Sequence, residues 1–231
     1  MKTIGLLGGM SWESTQTYYR LINQGVKARL GGLHSAKLVL YSVDFAEIEA
    51  LQHKGDWPAT ARILSDAALS LQNAGADFLV IGTNTMHKVA PEIEQAIRIP
   101  LLHIADAIAR VLAQDGITRV GLLGTRFTME QAFYRERLEN AGIEVITPDE
   151  PQRDVIHRVI YEELCRGEIN PASRDAYLEI VASLAERGAQ AVILGCTEIG
   201  LLIQQADTTV PLYDTTAIHA SQVVEQALPD Q

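Results

Sequence analysis

Apolar positions along this chain follow two alternating rhythms. Short runs of Val, Leu and Ile, four or five residues long, are separated by longer stretches in which apolar residues recur every three or four positions. The short runs read as buried strands at Thr3 to Leu7, Lys37 to Val43, Phe78 to Ile81, Leu101 to His103, Arg119 to Leu123, Glu144 to Ile146, Ala191 to Leu194 and Val210 to Leu212. The longer stretches read as helices near Ser14 to Lys27, Pro58 to Ala74, Ile104 to Gln114, Met129 to Ala141, Arg153 to Arg166 and Pro171 to Arg187. Pro58 and Pro171 suit a first helical turn, and Gly75, Gly142 and Gly188 suit helix ends. Strands alternating with helices in this way define an α/β protein built on mostly parallel sheets.

The pattern also repeats. Ile4-Gly5-Leu6-Leu7-Gly8-Gly9 returns as Val120-Gly121-Leu122-Leu123-Gly124-Thr125, and Gly75-Ala76-Asp77-Phe78-Leu79-Val80-Ile81-Gly82-Thr83 returns as Gly188-Ala189-Gln190-Ala191-Val192-Ile193-Leu194-Gly195-Cys196. Ile99-Pro100-Leu101 returns as Val210-Pro211-Leu212. Three matches in one order at nearly one spacing indicate duplication, although βα units also resemble one another generically. The expected architecture is therefore two pseudo-symmetric lobes, each a mostly parallel sheet flanked by helices. The first lobe spans residues 1–98 plus 212–231, with a final helix near Tyr213 to Leu228 packing back on it, and the second spans 99–211. Ligands of open α/β sheets sit beyond the carboxyl ends of strands, which places the expected active site in the cleft between the lobes.

Composition narrows the function classes. The 231 residues carry 19 Lys and Arg against 29 Asp and Glu, a net charge of −10. That balance argues against nucleic-acid partners and acidic membrane surfaces, which require concentrated cations. No apolar run approaches the ~20 residues that span a bilayer, and the chain begins directly on a strand pattern, so a cytoplasmic location is expected. Cys165 and Cys196 are the two cysteines, and a reducing compartment keeps both as thiols. The six histidines never approach metal-site spacing, Gly5-Leu6-Leu7-Gly8-Gly9 lacks the order of a dinucleotide fingerprint, and no cofactor or metal is expected.

Candidate chemistry concentrates in two loops that the repeat makes equivalent, Thr83-Asn84-Thr85 and Cys196-Thr197-Glu198. A cysteine between a strand and a helix start is expected to feel positive potential and a lowered pKa, which suits a base; the plainer alternative is a small buried hydrophobe. Two proton-transfer groups on opposite sides of one carbon are what inversion at a stereocentre requires. Asn84, Thr85 and Thr197 suit a substrate carboxylate through nearby amides, or else serve as helix caps.

Together, Gly8-Gly9-Met10-Ser11, Thr83-Asn84-Thr85 and Leu194-Gly195-Cys196-Thr197-Glu198 resemble the motifs of the aspartate/glutamate racemases, in the aspartate racemase branch. The resemblance covers essentially the whole chain. It implies a two-lobed α/β fold, often dimeric, and amino-acid racemisation by two cysteines without pyridoxal phosphate or metal. Cys196 matches the second cysteine, whereas Thr83 stands where the family usually has the first. An alcohol titrates roughly six to seven units above a thiol, about 8 to 10 kcal/mol of extra ionisation cost, so Thr83 is expected to donate or relay a proton rather than act as a free base. The resemblance further assigns substrate contacts to Met10, Ser11 and Thr125 at strand ends, to Glu198, and to Gln52 and Arg166 in stretches where the family places cations. Arg166 suits a carboxylate, with helix-dipole compensation as its plainer role; Gln52 is neutral and admits polar or longer side chains, with a surface position as its plainer reading.

The expected activity is interconversion of L- and D-glutamate or aspartate, extending to other polar amino acids, slow and asymmetric, by a homodimer. A single-cysteine decarboxylase of the same superfamily and a non-catalytic amino-acid-binding protein are the alternatives.

Overall fold

The computed structural model describes residues 1–228; residues 229–231, which belong to the expected first lobe, lie outside the described residues. Two compact units emerge among the described residues, one comprising Met1–Ile104 and residues 219–228, the other Ala105–Ile218. The sequence-based boundaries fall a few residues before these divisions.

In the first unit, β1 (Ile4–Gly8) lies between β2 (Leu38–Ser42) and β3 (Phe78–Ile81), with both pairings parallel. The strand expected at Leu101 to His103 is reduced to a single parallel bridge from Leu101 to Leu79. Helices α1 (Trp12–Leu30), α2 (Phe45–Lys54), α3 (Trp57–Asn73) and α4 (Ala90–Ala96) complete this part of the chain, with a 3-10 turn at Thr85–Val89 before α4. The second unit contains α5 (Ile104–Gln114), β4 (Arg119–Gly124), α6 (Arg126–Glu130), α7 (Ala132–Asn140), β5 (Glu144–Ile146), α8 (Glu150–Glu162), α9 (Pro171–Glu186), β6 (Ala191–Gly195), α10 (Ile199–Leu202) and β7 (Leu212–Asp214). Its parallel sheet runs β5-β4-β6-β7. The order β2-β1-β3 followed by Leu101 is the same arrangement, element for element, so the sequence repeat is a repeat of topology. Chain-terminal α11 (Thr215–Ala227) lays Ala220, Val223, Val224 and Ala227 against Ile4, Leu6, Tyr18, Ile22 and Val26 of the first unit.

Local chemistry sets these elements. Ser11, Asp44, Asp56, Asp149 and Asn170 each cap a helix by accepting a backbone N–H, and Pro58, Pro91 and Pro171 occupy first turns, where their missing N–H is harmless. β1, β3 and β6 are buried along their whole length, the mark of strands covered on both faces. Gly5 and Gly121 hold equivalent positions in β1 and β4, where a side chain has no room: a Cβ on Gly5 would lie 2.8 Å from the Cβ of Ala76, and one on Gly121 2.8 Å from Leu184 Cδ1. The helix expected at Met129 to Ala141 is two helices, because Gln131 is extended. None of the helices among the described residues is long and apolar enough to cross a membrane.

Candidate active site

The first unit brings its candidate residues to the carboxyl ends of β1 and β3. Beyond β1 the Gly9 N–H donates to Thr15 Oγ1 at 2.8 Å, Thr15 Oγ1 donates to the Ser11 carbonyl at 2.9 Å, and Ser11 Oγ caps α1 through the Ser14 N–H. Ser14 Oγ then donates to the Gly82 carbonyl at 3.0 Å, tying this turn to the loop after β3. Met10 and Ser11 are both buried. In the second loop Thr83 is half-buried, while Asn84 and Thr85, which follow it, are buried. Asn84 makes no side-chain cap for the 3-10 turn it precedes. The Thr83 carbonyl lies 2.8 Å from Nδ1 of His87.

Gln52 is 1% exposed, which overturns its reading as a surface residue. It follows Ile48 by one turn on the buried face of α2, and neither its amide nitrogen nor its amide oxygen has a hydrogen-bond partner among the described residues. A buried primary amide in that condition is costly, by about 1–3 kcal/mol for each unmade group, and such a group is ready for a polar ligand or an ordered water.

The second unit carries the other set. Thr125 caps α6 through the Thr128 N–H, the counterpart of Ser11 at the start of α1. Cys196, Thr197 and Glu198 follow β6 and are all buried. Cys196 Sγ donates to Glu198 Oε2 at 3.0 Å, and Thr197 Oγ1 donates to the same oxygen at 2.6 Å. Glu198, at the N-cap of α10, makes no side-chain cap. The resemblance assigned Glu198 to substrate binding; the structure engages its carboxylate with the thiol itself.

These surroundings reverse one expectation. Burial first, and the negative charge of Glu198 second, hold the Cys196 thiol well above its ordinary pKa, with smaller contributions that include Cys165. The helix expected to lower it is only four residues long. At rest, therefore, Cys196 is a thiol hydrogen-bonded to a carboxylate rather than a thiolate. Nor is it merely a small hydrophobe, since that bond gives its proton a defined destination. Cys165 is half-buried and packs against the same apolar cluster as Cys196, and neither cysteine forms a disulfide. Arg166 is exposed on the 3-10 turn Leu164–Arg166, which packs against α10.

Sequence reasoning missed the histidines of the first unit. His87, His103 and His219 are buried together, with ring centroids 4.4 Å apart for His87 and His103 and 6.1 Å for His87 and His219. Their scattered positions offer no signal, although the four-residue step from Thr83 to His87 is that of a helical side chain reaching back to a carbonyl. Among the described residues no group of three His, Cys, Asp or Glu side chains is placed to hold a metal ion.

Two parallel-sheet units of like topology thus carry equivalent strand-end loops, one of them with a thiol–carboxylate pair. Residues 7–223 match the sequence model of the Asp/Glu/Hydantoin racemase family, and the chain belongs to that family. It is similar over 99% of both chains, at 24% identity, to the broad specificity amino-acid racemase RacX of Bacillus subtilis (strain 168). Among solved structures, a candidate Asp/Glu racemase from Yersinia pestis is 61% identical with a TM-score of 0.92, covering 98% of this chain and 99% of that one. An aspartate racemase homologue from Pyrococcus horikoshii OT3 is 33% identical with a TM-score of 0.85, covering 98% and 99%.

Proposed function

We propose that this protein is an amino-acid racemase that works without a cofactor on glutamate, aspartate and other polar amino acids, through Cys196 and Thr83. The observation that carries the reading is the buried thiol–carboxylate pair, Cys196 Sγ to Glu198 Oε2 at 3.0 Å. To act as base, Cys196 passes its proton to Glu198, and the thiolate then takes the Cα proton of one enantiomer. The resulting carbanion is protonated on its opposite face by the Thr83 hydroxyl, which regains a proton from solvent. Glu198 then releases its proton to solvent; in the reverse sense the Thr83 hydroxyl takes the Cα proton as it passes its own to solvent, Cys196 donates its thiol proton to the carbanion, and the sulfur is reprotonated from solvent through Glu198. The amides and hydroxyls around Ser11, Asn84, Thr85, Thr125 and Thr197 hold the α-carboxylate. Arg166 receives a side-chain carboxylate where the substrate has one, and the bare amide of Gln52 supports acceptance of neutral polar side chains.

The hydroxyl at position 83 makes this chemistry slow and uneven. Because enantiomers have equal free energy, the equilibrium is the racemate and kcat/KM is equal in both directions; the asymmetry therefore appears as unequal kcat balanced by unequal KM. The thiol, carboxylate and hydroxyl supply the proton transfers, so the reading requires neither pyridoxal phosphate nor metal. A homodimer acting in the cytoplasm completes the proposal. Support for the dimer comes from Leu40 and Tyr41, exposed on the edge strand β2, and from exposed Trp12, Tyr19 and Leu33.

A chiral assay across the polar amino acids tests the whole reading. Enantiomer formation is expected from the native chain and is lost in Cys196→Ala; turnover unaffected by that substitution would refute the assignment.

A further inference from the structure

Thr83 sits at the start of a tight segment, and its carbonyl is held by a side chain that nothing above has given a role. His87 is 1% exposed. Its Nδ1 lies 2.8 Å from the Thr83 carbonyl oxygen and its Nε2 lies 3.3 Å from the Ile104 amide nitrogen. A carbonyl only accepts and an amide N–H only donates, so Nε2 is the bare nitrogen and Nδ1 carries the hydrogen. The ring is thus neutral, in one tautomer, and bridges the Thr83 peptide to the first residue of α5.

The bridge is itself buttressed. His103 meets the His87 ring edge-on, and the His219 ring lies beyond it. His219 is fixed in turn at both nitrogens, 2.8 Å from Tyr18 Oη and 2.9 Å from the Leu102 carbonyl oxygen. Within the first unit these rings pack against the imidazole whose Nδ1 holds the Thr83 carbonyl. Proton transfer demands that the Thr83 hydroxyl be placed closely, since a misplacement of about 1 Å can lower a rate by ~100-fold.

We propose that His87 is a positioning residue for Thr83, its imidazole clamping the Thr83 carbonyl to the Ile104 N–H so that the hydroxyl is held in one orientation. The consequence for turnover rests on the racemase reading; the consequence for the loop does not.

Three measurements on the full-length protein test it. Long-range proton–nitrogen NMR of the histidine rings near neutral pH is expected to show His87 with the hydrogen on Nδ1; the other tautomer, or an imidazolium, would overturn the proposal. In His87→Leu, amide exchange at Asn84 and Thr85 is expected to accelerate at least about tenfold. In His87→Asn, whose amide can still donate to the Thr83 carbonyl, it stays within about threefold of native. The same series is expected to lower kcat at least about tenfold in His87→Leu with KM within about threefold, and to recover most of it in His87→Asn. Native exchange and native kcat in His87→Leu would sink the idea. Should the native chain turn over no amino acid, the racemase reading fails, while the tautomer and exchange results still decide whether His87 holds the loop.

Discussion

Cys196 keeps its proton for two reasons of unequal size, burial and the charge of Glu198. Removing only the second separates them. In Glu198→Gln the thiol pKa is expected to fall part of the way toward the ordinary cysteine value, so alkylation by iodoacetamide sets in at lower pH than in the native protein. Turnover should nevertheless drop by about 100-fold or more, because the acceptor of the thiol proton is gone. An alkylation profile unmoved by the substitution would mean that the carboxylate does not govern the thiol. At the equivalent position of the other loop the demand is opposite: Thr83 lacks acidity. Thr83→Cys, which lowers the ionisation cost by several units, is expected to raise the racemisation rate, and a fall in that rate would remove this loop from the proton path.

At the scale of elements, the equivalent glycines of β1 and β4 give the duplication a measurable signature. In Gly5→Ala the new methyl would lie nearest the Cβ of Ala76, which is fixed to the backbone, and then the Phe78 carbonyl, whereas in Gly121→Ala its nearest contact is the movable Cδ1 of Leu184, with Leu184 Cβ and Val192 Cγ2 behind it at 3.2 Å. Both are expected to lose about 1–3 kcal/mol of unfolding free energy in urea titrations, Gly5→Ala the more. Equal stability of both variants and the native chain would contradict the packing described here. The strands are legible because β1, β3 and β6 are apolar throughout and β4 is apolar after Arg119, and the periodic helices α1, α3, α5 and α9 stand out with them. Helix α2 was not legible: Gln52, the polar residue on its buried face, disrupts its apolar stripe. The segment from Thr85 to Ala96 hid for a different reason, being a 3-10 turn that changes into a short helix at Pro91. The repeat places the two candidate loops after equivalent strands, as the sheet orders show, but the state of the thiol is not readable from position alone. Proximity to a helix start argues for a lowered pKa; burial, and after it the carboxylate two residues away that accepts the thiol's hydrogen bond, reverses it.

For the molecule as a whole, two units of like topology present unlike chemistry at matching loops, a thiol paired with a carboxylate in one and a hydroxyl anchored through its own carbonyl in the other. The first unit carries a pH dependence of its own. His219 is fully buried, and burial lowers its pKa from 6.5 to about 4. The unfolded chain therefore binds more protons between those values, so the stability this group supports is complete above about pH 6.5 and is lost as pH falls toward 4, up to about 3 kcal/mol. Urea unfolding at both ends of that window should show the loss in the native protein and a flatter profile in His219→Gln; identical profiles would remove His219 from the balance. The central claim, that Cys196 and Thr83 serve one substrate carbon, is tested most directly by incubating L-glutamate with the protein in heavy water and following deuterium at Cα together with chirality. The account predicts deuterium in both enantiomers and, when Thr83→Ala is given L- and D-glutamate separately, continued exchange into the one enantiomer whose Cα hydrogen faces Cys196 with inversion largely lost, since the thiol alone can remove and return a proton on its own face. Inversion at the native rate in Thr83→Ala, or no exchange in the native protein, would contradict it.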